Sequence, residues 1–166
     1  MISPGWVRTM ARHGAAQNRA YAELTADMPE ADWWADRGAF FGSLGATSNH
    51  ILWADRMWLS RLAEGPVPAG GAGGLDLAPT RAAWAAMREQ TDAALLDWAG
   101  GIGEGDLAGD LDWTSGLAGP MRRPRALVVT HVFAHAIHHR GQVHAMLTGM
   151  GRTTPTTDLL FLTEDA

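Results

Sequence analysis

The feature that most constrains this chain is periodicity: four long stretches repeat apolar residues at the three- and four-residue spacing of a helix, each bounded by proline or glycine. In the first, Ser3 and Pro4 make a helix start, since a hydroxyl can cap free N–H groups and proline costs nothing at the first helical position. Val7, Met10, Gly14, Gln17, Tyr21, Leu24 and Met28 then form one stripe, which predicts a helix that runs until Pro29. The second covers residues 38 to about 64, with Phe40, Phe41, Leu44, Ile51, Leu52, Met57, Trp58, Leu59 and Leu62 on a face wide enough to be buried on two sides. The third follows Pro79, with Trp84, Met87, Thr91, Leu95 and Trp98 in phase, and ends at Gly100-Gly101. Pro124 opens the fourth, to about Met150, whose apolar arc holds Val128, Val129, Val132, Phe133, Ala136, Val143, Met146 and Leu147.

The intervening segments read as connections. G-P-V-P-A-G-G-A-G-G over residues 65–74 has the punctuation of a flexible link, and D-L-D-W-T-S-G-L-A-G-P-M predicts a short hairpin around Ser115-Gly116. After Gly151 a tail with Pro155 and the apolar L-L-F-L of residues 159–162 is expected to lie back across the bundle as a short extended piece. Four amphipathic segments with few strand signals predict an all-α four-helix bundle with an irregular or hairpin segment before the fourth helix. At 166 residues, residues 1–166 are expected to form a single domain with a core of its own.

Composition closes several routes. The chain has no cysteine, which removes disulfides, thiolate zinc sites and a cysteine nucleophile, so any thiol chemistry needs an external thiol. The formal charge is −5 and all 13 basic residues are arginine, so no broad cationic face is offered to nucleic acid or anionic lipid. Arg122, Arg123 and Arg125 cluster beside Pro124, and in an acidic chain they read as a solvated loop rather than a phosphate contact. M-I-S-P-G-W has no charged n-region followed by an apolar stretch, and no run of about 18 apolar residues occurs, so the expected setting is cytoplasmic. The chain lacks H-E-x-x-H and G-x-S-x-G, and the glycine-rich G-G-I-G-E-G lacks the lysine of a phosphate-binding loop. The tryptophans at helical spacing read as core rather than as a cofactor platform.

The histidines are the exception to this ordinary profile. Five of the seven lie between His131 and His144, in H-V-F-A-H-A-I-H-H-R-G-Q-V-H on the fourth predicted helix. Imidazoles four apart stand above one another on a helix and can share one ion. Two such pairs exist, His131/His135 and His135/His139. At about 100° per residue His139 falls inside the apolar arc and His135 at its edge, whereas His131 and His138 point away, which favours His135/His139. A catalytic site of this kind usually has three protein ligands, and His50, embedded in N-H-I-L-W-A-D-R-M-W on the second helix, is the natural third. His13, on a more polar stretch, reads as a surface histidine. Asp55 shares a face with Phe41, Leu44, Ile51, Trp58 and Leu62 and needs a partner there. It is expected either to orient a ligating imidazole or to pair with Arg140.

G-S-L-G-A-T-S-N-H-I-L-W-A-D-R-M-W-L together with H-A-I-H-H-R-G-Q-V-H resembles the DinB/YfiT-like superfamily over nearly the whole chain, including the irregular stretch before the last long helix and the closing T-P-T-T-D-L-L-F-L. The resemblance implies a four-helix bundle, often a homodimer, with nickel or zinc on the residues that here are His50, His135 and His139. Asp55, Arg140 and the Gln142 of H-R-G-Q are the expected supports behind those ligands. Characterised members include bacillithiol S-transferase and mycothiol-dependent maleylpyruvate isomerase, which implies a low-molecular-weight thiol as co-substrate. The leading expectation is a metal-dependent hydrolase or thiol S-transferase acting on a small molecule, with no residue assigned as its acid or base. The alternatives are a metal-binding or stress-responsive bundle without catalysis, and a plain helical bundle with incidental histidines.

Overall fold

The structure is a computed structural model that describes residues 2–70 and 73–162, so Gly71 and Ala72 of the glycine-rich connection lie outside it. Helix α1 spans Pro4–Leu24, and the Ser3 hydroxyl accepts from the Trp6 N–H at 3.2 Å. It stops one turn short of the stripe's end. Pro29 disfavours helical backbone at the residue before it, so residues 25–28 form turns that still bury Met28. Arg152 caps this end, donating to the Leu24 carbonyl at 2.9 Å and to Asp27 at 2.7 Å.

A short helix that periodicity did not announce, α2 (Glu30–Trp34), follows Pro29. It is the length of a single turn, too short to show a stripe. It buries Trp33, whose ring centroid lies 5.2 Å from that of Trp84, against Gly45. A β-carbon at Gly45 would come within 2.7–2.8 Å of Trp33 and Trp34, so that glycine is what lets α2 dock.

The second long helix, α3, is Leu44–Leu62 and begins six residues later than expected. Ser43 caps it, accepting from the Ala46 N–H at 3.0 Å. The preceding residues turn back through Gly38 and Gly42, both at positive φ, in a loop tied by the Arg37 N–H to the Gly42 carbonyl at 2.8 Å. Phe40 is therefore not a stripe residue; it is 80% exposed.

Helix α4 (Arg81–Gly101) is capped by Thr80 and leads through a 3₁₀ turn at Glu104–Leu107 into a hairpin of β1 (Asp110–Ser115) and β2 (Gly119–Pro124). The strands are antiparallel with Ser115 opposite Gly119, so the hairpin stands where the sequence put it. Arg122 and Arg123 lie on β2 rather than in a loop, both exposed, with Arg122 paired to Asp110 at 2.9 Å. Helix α5 (Arg125–Gly149) is the longest and packs on both α1 and α3, while α4 packs on both as well. The four long helices form the bundle; α2 and the hairpin are additions to it. No helix among the described residues is long and apolar enough to cross a membrane.

Two apolar cores fill the bundle. One gathers Tyr21, Trp33, Leu44, Leu52, Trp84, Met146 and Leu147; the other gathers Val7, Met10, Ala99, Leu107, Val129 and Phe133. Between them lies a buried polar layer. Arg88 donates to Asp55 at 2.7 Å and lies 2.9 Å from Asp92, which also accepts from Asn18 at 2.9 Å.

The tail departs from expectation in its apolar part. Residues 156 and 157 dock on α1, their carbonyls accepting from Gln17 Nε2 and His13 Nε2 at 3.0 Å each. Leu159–Phe161 is a 3₁₀ turn with Leu160 and Phe161 exposed, so that apolar cluster does not cover the bundle.

Candidate metal centre

His50 projects from the first half of α3, and His135 and His139 stand one turn apart on α5, where those two helices pack. One ligand atom from each of the three lies within 4.8 Å of the others. His50 Nε2 and His135 Nε2 are 3.1 Å apart. Tetrahedral ligand nitrogens at ordinary zinc distances sit about 3.3 Å from one another, so the spacing fits a single ion.

The outer ring nitrogens point the same way. His50 Nδ1 lies 2.8 Å from the Gly73 carbonyl. A carbonyl only accepts, so the proton resides on Nδ1 and Nε2 presents its lone pair inward. His139 Nδ1 lies 3.0 Å from Gln142 Oε1, whose amide nitrogen is 3.2 Å from His138 Nε2. The Gln142 amide oxygen thus accepts from the His139 Nδ1–H, which leaves Nε2 with its lone pair free in the same sense. Burial lowers the pKa of His50 and His139. It lowers that of His135 to about 3, with the adjacent imidazoles His139 and His50 adding to the effect. These rings are neutral bases at ordinary pH, the form a cation requires.

Aromatic rings pack around the cluster. Phe41 lies 4.3 Å from the His50 ring and 5.3 Å from His139, and Trp53 stacks on His50 at 6.3 Å. Toward the hairpin, His131 contacts His135 at 5.6 Å and Trp58 at 5.7 Å, and Trp58 meets Trp113 of β1. Arg61 stacks 4.6 Å over Trp58.

The DinB sequence model matches residues 1–166. The chain belongs to the DinB family. No curated protein matches it. In this DinB chain His135 and His139, picked out by helical phase, and His50, picked out by its apolar surroundings, are the residues the fold brings together. His139 is buried and His135 half-buried, whereas His131 and His138 are exposed, as their phase on α5 dictates.

Three sequence expectations need correction. Asp55 hydrogen-bonds neither a metal-site histidine nor Arg140; its hydrogen bond goes to Arg88, which occupies a core-facing position of α4 in line with Trp84, Thr91 and Leu95. Burial raises the Asp55 carboxyl, while Arg88 and Arg140 pull it back down. Arg140 is buried but faces α1, against Gly14. His13 is not a surface residue: it is buried and holds the tail.

Two contributors went unread in the sequence. Phe41 was assigned to a helical stripe and instead covers the site from the loop before α3. Gly73 supplies a carbonyl from a stretch that read only as a linker; the signal was the glycine run itself. Gly73 and Gly74 both have positive φ, and a β-carbon on Gly74 would collide with the Trp53 ring.

The larger cavities are elsewhere. One of about 820 Å³ lies between α1 and α4, lined by alanines of both helices together with Asn18, Arg19, Glu23, Arg88, Glu89 and Asp92. Among the described residues the one group of side chains spaced to hold a metal ion is the three histidines, so the candidate chemistry belongs with them.

Proposed function

We propose that the protein is a metal-dependent enzyme in which His50, His135 and His139 hold one zinc or nickel ion, with water or a low-molecular-weight thiol as the attacking group and a small molecule as substrate. The observation that carries this reading is the convergence of three neutral imidazoles from two helices, two of them with their outer nitrogens hydrogen-bonded to acceptors. Three ligands leave a tetrahedral ion one open position, and an ion so held supplies Lewis acidity, lowering the pKa of what occupies that position. The residues do the rest. Gly73 and Gln142 hold two ligands in the correct tautomer, and Phe41 and Trp53 limit water around them. His131 and His138, exposed and in ring contact with the ligands, are placed to carry protons to solvent. The absence of cysteine fits a thiol that comes from outside. With this reading go a cytoplasmic setting, a homodimer and no nucleic-acid or membrane partner.

The test is metal analysis of untagged protein, comparing wild type with His50→Ala and His139→Ala. The reading predicts about one equivalent of metal in wild type and strong loss in both variants; equal metal in all three would refute the site. Metal-dependent turnover in a panel of thiols with electrophilic acceptors, and of hydrolysable esters and amides, then separates transferase from hydrolase. A second reading, a metal-binding bundle without catalysis, draws on one observation: among the described residues no carboxylate hydrogen-bonds the three histidines. Bound metal without turnover across the panel would favour it.

A further inference from the structure

A second pocket, of about 210 Å³, lies between α1 and α5, with none of the three metal-site histidines in its lining. His13, Gln17 and Tyr21 form its α1 wall, Arg140 and His144 its α5 wall, and Thr157 of the tail borders it. Arg140 is only 6% exposed, yet its guanidinium makes no hydrogen bond among the described residues, and its Nη2 is fully buried without a partner. The carboxylates that act on it electrostatically, Asp55 and Asp92, are both engaged by Arg88. A buried cation whose Nη2 donors are left without an acceptor is an expensive arrangement unless something polar occupies the space beside it.

Two acceptors on the same lining are likewise unsatisfied among the described residues: Gln17 Oε1 and His13 Nδ1 are buried without partners there. Each residue is fixed from its other end, Gln17 Nε2 donating to the Thr156 carbonyl and His13 Nε2 to the Thr157 carbonyl, both at 3.0 Å. The amide oxygen and the bare ring nitrogen are therefore left as acceptors. The Tyr21 hydroxyl, 3.4 Å from His144 Nδ1, adds a further polar group. The lining thus combines a planar cation suited to two oxygens of one anion with two acceptors that want a hydroxyl. Its volume exceeds that of one water, about 30 Å³ in the liquid, and falls below the roughly 300 Å³ at which drug-sized sites begin.

We propose that this pocket binds a small oxyanion that also carries a hydroxyl, of the hydroxycarboxylate or hydrogen phosphate kind. The anionic oxygens accept from the Arg140 guanidinium, and the hydroxyl donates to Gln17 Oε1 or His13 Nδ1. The site is separate from the metal centre, although Arg140 follows His139 directly in sequence, because consecutive helical residues point about 100° apart.

The test uses the full chain, metal-free, titrated with glycolate, acetate and inorganic phosphate while the Arg140 side-chain Nε–H and the His13 and Tyr21 ring signals are followed by NMR. Glycolate or phosphate is expected to shift these signals saturably, with affinity about tenfold or more above acetate, which lacks the hydroxyl. Whichever of the two binds more tightly identifies the class. Arg140→Gln is expected to abolish binding. Gln17→Leu keeps the guanidinium and is expected to erase the preference over acetate, so the test does not depend on whether the arginine variant folds. His50→Ala, which disables the metal centre, is expected to leave this binding unchanged, so the two readings fail separately. No saturable shift with any probe, equal affinity for all three, or binding unaffected by both Arg140→Gln and Gln17→Leu would overturn the proposal.

Discussion

Replacing Arg88 by methionine probes the polar layer that divides the two cores. The arginine side chain is 2% exposed, and it faces Asp55 at 2.7 Å and Asp92 at 2.9 Å, whose side chains are 5% and 12% exposed. Methionine fills a similar volume, so the cavity contribution is small and the cost is electrostatic. Two carboxylates lose their shared counter-ion. Asp92 keeps the Asn18 amide, whereas Asp55 has no other hydrogen-bond donor among the described residues. Removing one member of a buried pair costs about 3–5 kcal/mol, a large share of the 5–15 kcal/mol that holds a domain together. At roughly 2–4 °C per kcal/mol for a chain of this length, the melting temperature should fall by about 6–20 °C. Arg140 acts on Asp55 without hydrogen-bonding it and offsets part of the loss, which places the outcome toward the lower end. Adding Asp55→Leu to Arg88→Met removes the most stranded charge and should recover stability relative to the single variant. Urea unfolding of metal-free protein measures both. A single variant within about 1 kcal/mol of wild type, or a double variant less stable than the single, would refute the view of this layer as a mutually dependent ion network.

Two further outcomes concern the imidazole cluster. Burial, with the neighbouring rings, holds His135 at about 3 in the folded chain, while an unfolded histidine titrates near 6.5, so below that pH the unfolded state takes up protons that the folded state does not. Metal-free stability should therefore fall as pH drops from about 7 to 5; partial solvent access to the ring reduces the His135 contribution to about 1–2 kcal/mol, and His135→Gln should lessen the slope to the part left by His50 and His139, whose pKa burial also lowers. A urea midpoint that stays constant or rises on acidification would contradict the assignment. Gln142→Leu removes the acceptor on His139 Nδ1 and should weaken metal affinity by about 10–100-fold without changing the fold, measured by competition with a chelator. Unaltered affinity would mean that His139 is oriented by something else.

What could be read in the sequence follows from what periodicity records. Four long helices impose a stripe over many turns, so their existence and their facing sides were legible, as was the phase that turns His139 inward and His131 outward. The hairpin was announced by its turn residues. α2 left no trace because a single turn has no period, and the late start of α3 was masked because Phe40 and Phe41 continue an apolar rhythm through residues that turn back on themselves. Partner choice was the least legible quantity. Asp55 was recognised as a buried charge in need of a partner, a ligating imidazole or Arg140, but Arg88 can serve as well, and only the packing of α3 on α4 decides among them.

Helix α5 explains why histidine and arginine accumulate in one segment. It packs against α1 on one side and α3 on another, so several polar side chains point inward on different bearings. His135 and His139 turn toward His50 on α3, while Arg140 turns toward Gly14 and Gln17 on α1. A helix with one buried face would have forced these groups to compete for the same space. With two buried faces, the chain holds a cluster of neutral bases and a separate buried cation within six consecutive residues, and Val143 and Leu147 one turn and two turns later still pack in the core. The arrangement makes α5 sensitive to register. A one-residue shift would carry His139 toward the α1 side and Arg140 away from both partners, so the Pro124 start and the β2 strand that anchors it fix the chemistry as well as the fold.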